Sequence, residues 1–288
     1  MSRLAEKLAQ QQFVMTAEIA PPKGVDVTSA LARAELLQTM DAINVTDNQG
    51  ACMRMSPVAL ARLLIEQGYE PILQLTCRDR NRMALQSELL GAAALGIENL
   101  LLLTGDHPQF GDHKAARPVF DLDSVQLLKA VAQLQQGVDM AGKALNHPPR
   151  FFSGAAVAPA AEPQVLVLKK LAKKVACGAQ FFQTQAVFKR SQLESFMASA
   201  GLFRTPVIMG VLLLKNLRMA EFLNRNIPGV QVPEDLLQRL EGAADPLAEG
   251  VKIAREMVVL AREFCQGVHL MTFGHEDLLP QILADPSV

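Results

Sequence analysis

At 288 residues and 31.3 kDa, the chain can form one large domain or two small ones and bury a core without disulfide or metal staples. Half of it is hydrophobic and 20% charged, a balance that excludes a disordered tail or a fibre. Lys and Arg total 28 against 29 Asp and Glu, so no positive excess exists to neutralise a run of phosphates, and nucleic acid is not an expected partner.

In chain order, the opening MSRLAEKLAQQQ carries charges and no apolar centre, unlike a secretion signal. The first strand candidate is FVMTAEIA from Phe13, followed by AINVTD from Ala42, PILQLTC from Pro71 and NLLLLTGD from Asn99. FFSGAAVA from Phe151, AQFFQTQ from Ala179, VIMGVLLL from Val207 and VHLMTFG from Val268 continue the series. Helical periodicity separates these runs. SPVALARLLIEQG from Ser56 reads as a helix with a serine cap, a proline in its first turn and Gly68 as its stop. The stretches Ser124 to Gln136 and Leu247 to Phe264 behave likewise. Between the seventh and eighth strands, IPGVQVPEDLLQRLEGAADP predicts an extra helical insertion near residues 228–246. The longest apolar runs, AVAPAA and VIMGVLLL, are too short to span a bilayer. Cys52, Cys77, Cys177 and Cys265 stand apart with no CxxC pair, which argues against zinc and against a secreted disulfide framework. Together these features predict a cytoplasmic protein with no metal and no membrane partner.

Eight strand–helix repeats match a (β/α)8 TIM barrel, typically ~250 residues, as a single domain over residues 1–288. A doubly wound open sheet also alternates β and α, but no GxGxxG follows the first strand and no break in composition divides the chain.

Barrels carry chemistry on the loops after their strands. Here those ends bear Glu18; Thr46, Asp47 and Asn48; Thr76, Cys77, Arg78 and Asp79; Thr104, Gly105 and Asp106; Gln183, Thr184 and Gln185; Lys215 and Asn216; Thr272 and His275. Such a rim suits a polar ligand and proton transfer. Glu18 lies inside an apolar strand just before Ala20-Pro21-Pro22, where burial disfavours the charged form and suits a general acid. Pairing with Arg78 or Lys215 as structural glue is the competing reading. Asp106 serves either to bind ligand N–H groups or to cap the following turn. His107 and His113 read as loop histidines, His269 as a core histidine, and Cys77 as packing with no histidine to activate it. Lys169, Lys170, Lys173 and Lys174 form a solvated helix face that can also reach phosphate.

AEIAPPKG, INVTDNQG, PILQLTCRDRN, ALQSELLGAAALGIENLLLLTGDHP, VFDLDS, GAQFFQTQAVF and PVIMGVLLLKNLRMAEFLNRNIPGVQVP occur in an order and spacing that resembles the methylenetetrahydrofolate reductase family over nearly the whole chain. The likeness is greatest to the short bacterial form without a regulatory domain and to the reductase half of bacterial methyltransferase–reductase fusions. It implies a flavin-bearing barrel that reduces 5,10-methylenetetrahydrofolate to 5-methyltetrahydrofolate in one-carbon metabolism. By this resemblance Glu18 matches the acid that protonates N10 of the folate, opening the five-membered ring before flavin N5 delivers hydride. Asp106 matches an aspartate near flavin and pterin, and Gln185 a glutamine that binds the pterin. Thr46, Gln74, Leu103, Thr104, Ala156, Lys173 and Lys174 fall at flavin-contact positions, and Leu217 at a substrate position.

Departures from the family pattern sharpen these expectations. The loop after the fifth strand reads AAVAPAAEP, with Val157 in place of a frequent tyrosine and no histidine. Val167 and Lys170 replace an aspartate and an asparagine, while Lys173 and Lys174 keep the basic pair. FAD and FMN both remain open as the flavin. Leu217 replaces a phenylalanine that stacks on nicotinamide in NADH-using relatives, which favours an electron-donating partner protein over NAD(P)H as the donor. Separately, a homo- or hetero-oligomer is expected. The alternative function is a non-catalytic, folate- or partner-binding barrel subunit of a larger reductase or methyltransferase complex.

Overall fold

A computed structural model describes residues 1–284. Eight strands follow one another around a closed barrel in sequence order. They are β1 (Val14–Ile19), β2 (Ala42–Val45), β3 (Pro71–Thr76), β4 (Asn99–Leu103), β5 (Phe152–Val157), β6 (Phe181–Ala186), β7 (Val207–Leu212) and β8 (Gly267–Met271). Each coincides with a stretch expected from the sequence, its ends differing by up to three residues. Strands of this kind are covered on both faces, which explains near-continuous apolar runs such as the fully buried β3.

The helices are α1 (Arg3–Ala9), α2 (Thr28–Glu35), α3 (Pro57–Glu66), α4 (Arg82–Ala94), α5 (Ser124–Gln135) and α6 (Gln164–Ala176). They continue with α7 (Arg190–Ala200), α8 (Leu217–Asn226), α9 (Glu234–Gly242), α10 (Pro246–Phe264) and α11 (Leu279–Leu283). Local chemistry sets their ends. Asp123 forms a capping box with Gln126 at α5, Asn81 accepts from the Met83 and Ala84 amides at α4, and Asp245 does the same for Leu247 and Ala248 at α10. Ser56 corrects an expectation: its hydroxyl makes no capping bond, and α3 begins instead on Pro57, whose ring already holds a helical φ and whose missing N–H needs no partner. Gly68 ends that helix at φ 83°. The stretch between β7 and β8 holds α9 besides α8 and α10.

The chain divides into two compact units. The first comprises Met1–Glu6, Glu18–Ala155 and Lys173–Phe181. In it β2 pairs with β3 (Asn44 opposite Ile72), and β3 with β4 (Gln74 opposite Leu101, Thr76 opposite Leu103). Alternation along the strands therefore puts Asn44, Thr46, Gln74, Thr76, Leu101 and Leu103 on one face. Below them Phe181 stacks on Phe152 at 5.1 Å, and a Cβ on Gly154 would fall 2.2 Å from the Phe181 ring, so glycine there makes room for the aromatic.

The second unit comprises Lys7–Ala17, Ala156–Ala172 and the chain from Phe182 onward. Thr16 of β1 lies opposite His269 of β8, and their side chains meet at 3.0 Å, so His269 is the core histidine expected. Phe188, Leu212, Leu214, Ala220, Leu236 and Ile253 form part of an apolar cluster joining β7 to α8, α9 and α10. Among the described residues, no helix is long and apolar enough to cross a membrane.

Candidate active site

In the first unit, Glu18 occupies the last turn of the pleat in β1 and is half-buried. Its carboxylate Oε1 accepts a hydrogen bond from Gln49 Nε2 at 2.9 Å. Arg78 pairs with Asp79 at 2.8 Å, and in the second unit Lys215 donates to the Phe273 carbonyl at 3.3 Å. Gln49 begins a short 3-10 turn after β2 whose backbone is left-handed at Asn48 (φ 46°), Gly50 (φ 63°) and Ala51 (φ 58°). For a residue with a Cβ, such as Ala51, that conformation costs roughly 1–2 kcal/mol.

Behind Glu18, charged side chains tie the strand ends together. Asp47 Oδ2 accepts from the Thr76 amide (2.9 Å), the Thr76 hydroxyl (2.8 Å) and Arg80 (2.8 Å). Arg78, only 2% exposed, makes a two-pronged pair with Asp79 and donates to the Asp47 carbonyl at 3.4 Å. Burial pulls the Arg78 guanidinium down, but the Asp79 hydrogen bond and the charges of Asp79, Asp47 and Asp106 outweigh it and hold it above its usual value. Arg80 follows the same logic, with Asp47 overcoming burial. Burial raises the Asp79 carboxyl, yet Arg78, Asn48 and Arg80 bring it below the usual range.

Against this crowded background Thr46 stands out. It is 1% exposed, and its hydroxyl has no hydrogen-bond partner. A buried hydroxyl left unpaired is costly, which fits a polar ligand atom beside it. Next to it on the same face, Gln74 makes a long 3.5 Å bond to Asn44, and Leu103 is half-buried. Gly105 (φ 91°) lets the β4 loop lie against β3, since a Cβ there would stand 3.0 Å from Thr76 Cβ and 3.1 Å from Arg78 Cβ. The loop then exposes Thr104 and Asp106. Thr104 Oγ1 accepts from the Ser124 amide at 3.3 Å, so its hydroxyl helps start α5. Thr46, Gln74 and Leu103 thus present an unpaired hydroxyl, a weakly held amide and an apolar side chain on one face. Lys173 and Lys174 are in the last turn of α6.

In the second unit, Ala156 continues β5 and Leu217 opens α8, packed against the apolar cluster. Gln185 sits at an irregularity in the β6–β7 register between Gln183 and Ala186. Thr184 stabilises it, donating to the Gln185 carbonyl at 2.6 Å and accepting from the Gly210 amide at 2.9 Å. Irregularities of this type re-aim side chains. Gln185 Oε1 is buried with no partner. Over it lies Gly229 (φ 83°), where a Cβ would come within 2.6 Å of that oxygen and 3.0 Å of Ala158.

The remaining candidates have ordinary roles. Burial pushes the Cys77 thiol up to about 12, with Asp123 adding to it, which fits packing. His107 Nδ1 accepts from the Gln109 amide at 3.2 Å, and His113 meets Asp112 at 2.8 Å, as loop histidines do. Sequence reasoning missed Gln49 and the Asp47–Arg80 tie. The one signal was the DNQG stretch, which announces a turn and not the side chain it presents.

Fold and site together define an α/β-barrel protein whose polar groups gather at the C-terminal strand ends, where barrel enzymes carry their sites. The chain belongs to the methylenetetrahydrofolate reductase family, whose model matches residues 3–286. It is 22% identical over 302 aligned residues to a "Probable methylenetetrahydrofolate reductase (NADPH)" of Caenorhabditis elegans, covering 98% of this chain and 43% of the relative. It is 26% identical over 202 residues to "Methylenetetrahydrofolate reductase 2" of Schizosaccharomyces pombe, covering 68% of this chain and 31% of the relative. The chain thus spans less than half the length of these curated relatives. Among solved structures it resembles an uncharacterised Clostridium thermocellum protein described as binding two copies of 5-methyl-5,6,7,8-tetrahydrofolic acid. The TM-score is 0.64 at 15% identity, with 97% of this chain and 96% of that one covered. A 2,3-dimethylmalate lyase follows with a TM-score of 0.53 at 10% identity, covering 94% and 81%. At such identities the likenesses establish the fold.

Proposed function

We propose that the chain reduces 5,10-methylenetetrahydrofolate to 5-methyltetrahydrofolate with a bound flavin, Glu18 acting as general acid. Family membership supports the reaction class. The observation that carries the proposal is the pairing, within one unit, of a half-buried carboxyl held by an amide donor with the unpartnered buried hydroxyl of Thr46. A folate ligand in a structural relative of the same fold is consistent with it.

When bound, the flavin supplies the hydride. Thr46, Gln74 and Leu103 hold its ring edge, with Thr104 and Asp106 on the loop above β4. Glu18 gives a proton to N10 of the folate, turning that nitrogen into a leaving group so that the five-membered ring opens. Within the second unit, the bare carbonyl oxygen of Gln185 is suited to accept from the N–H groups of a pterin, and Leu217 offers an apolar surface. Lys173 and Lys174 would meet the phosphates of a nucleotide tail, should the cofactor carry one. Leu217 offers no ring for a nicotinamide to stack on, so electrons come from a partner protein. Rapid bleaching of the flavin by NAD(P)H alone would overturn that last step.

The test is turnover of methylenetetrahydrofolate driven by reduced methyl viologen, compared between wild type and Glu18→Gln. The variant is expected to bind flavin and accept electrons normally but to lose folate reduction by about 10²–10⁴-fold. Wild-type turnover in the variant would remove Glu18 from the chemistry. The AAVAPAAEP stretch motivates the second reading, a non-catalytic folate-binding subunit. A colourless preparation that still binds folate favours it.

A further inference from the structure

We infer that Gln49 is a positioning residue for the proton delivery, holding the carboxyl of Glu18 in the orientation from which it acts. This rests on the reading of Glu18 as general acid and adds a residue that reading does not require. A protonated carboxyl has one carbonyl oxygen and one hydroxyl, and an N–H donor selects the carbonyl. The bond from Gln49 Nε2 to Glu18 Oε1 at 2.9 Å therefore favours Oε1 as the carbonyl oxygen of the protonated acid and restrains rotation of the carboxyl plane.

The turn that brings Gln49 there is built with unusual care. Left-handed residues flank it at Asn48, Gly50 and Ala51, two of them not glycine. Asn48 is fixed at both ends of its side chain, accepting from the Arg54 amide at 2.8 Å and donating to Asp79 Oδ2 at 3.3 Å. The Met53 amide donates to Asp112 Oδ1 at 3.0 Å. Gly111 closes against the Ala51 carbonyl so tightly that a Cβ would fall 1.8 Å from its oxygen. Strain persists where surroundings over-determine it, and it concentrates at functional sites. A plain connection from β2 to α3 needs none of this; delivery of one side chain to Glu18 does.

The experiment uses the flavin-loaded full chain as wild type, Gln49→Leu, Glu18→Gln and the double variant. Flavin reduction by dithionite and reoxidation by methylenetetrahydrofolate are followed separately in single turnovers. Gln49→Leu is expected to slow reoxidation about 10- to 100-fold while flavin content and reduction stay at wild-type values. The folate concentration for half-maximal rate should shift by less than about threefold, since the interaction serves the reaction and not binding. In the Glu18→Gln background, Gln49→Leu should cost nothing more, because the proton it positions is gone. A wild-type reoxidation rate in Gln49→Leu, or the same fold-loss in both backgrounds, overturns the inference. Should the wild type itself fail to be reoxidised by folate, the functional reading falls and takes this inference with it; an active wild type beside an unaffected Gln49→Leu removes the inference alone.

Discussion

The strand ends of the two units solve the same problem with different chemistry. In the first, β2 and β3 finish in charges that neutralise one another, with Asp47, Asp79, Arg78 and Arg80 joined by short hydrogen bonds. In the second, β6 finishes in neutral groups: a register irregularity, the Thr184 hydroxyl, the Gln185 amide and the glycine turn at Gly229 beside it. A charged lattice is rigid and costly to breach, because each buried charge depends on its partner. A neutral amide beside apolar residues can be left with a bare acceptor at smaller cost and so remains available to a ligand. The first unit thus holds its strand-end side chains rigidly, whereas the second keeps a bare acceptor at Gln185.

The sharpest way to break this contrast is Asp47→Ala. Its carboxylate is fully buried and satisfies the Thr76 amide, the Thr76 hydroxyl and Arg80 at once. Removing it strands the Arg80 charge and should destabilise the protein by about 3–5 kcal/mol in urea titrations. A loss below about 1 kcal/mol would make the lattice decorative.

Gly229→Ala probes the neutral side. The left-handed backbone penalises the new Cβ by roughly 1–2 kcal/mol, and the methyl group would press on Gln185 Oε1. Thermal melts should report the first effect, and a raised KM for folate with nearly unchanged kcat the second. If KM does not move, Gly229 acts on the turn alone.

Thiol labelling gives a smaller but cleaner contrast. Burial pushes Cys77 and Cys265 up to about 12, so at pH 8 they hold almost no thiolate, whereas Cys52 and Cys177 are partly exposed. Iodoacetamide on the native protein should modify Cys52 and Cys177 first, with mass spectrometry identifying the sites. Early labelling of Cys77 would show that the β3 end opens readily.

How much of this was legible beforehand follows the range of the interactions. The strands were readable because each is a short apolar run bounded by turn residues, and burial on both faces of a barrel strand demands that composition. Glu18 was readable too, as a carboxyl inside such a run. Gln49 was not, because its value depends on three left-handed residues held by nearby Arg54 and by Asp79 and Gly111, which are far away in sequence. Asp47 and Arg80 looked like rim polarity until their mutual contact was visible. Lys173 and Lys174 shared a helical face on paper, but only the bounds of α6 put them in its final turn.

The smallest expected effect lies on the surface of the first unit, where Arg82 grips Asp121 through its amide and two guanidinium nitrogens at 2.8–2.9 Å. Those side-chain and amide hydrogen bonds lower the Asp121 carboxyl from 3.8 to about 2. A carboxyl depressed in the folded state contributes stability that is complete above its unfolded value and lost as pH falls through its folded value. The window is therefore from about pH 4 down to about pH 2. Arg82→Ala should lower the melting temperature slightly at neutral pH and flatten its fall across that window. Because both side chains meet solvent, high salt should erase most of the difference. An acid limb identical in variant and wild type at low salt would mean that this pair adds nothing to the fold, leaving the buried Asp47–Arg80 contact as the tie that matters at the end of β3.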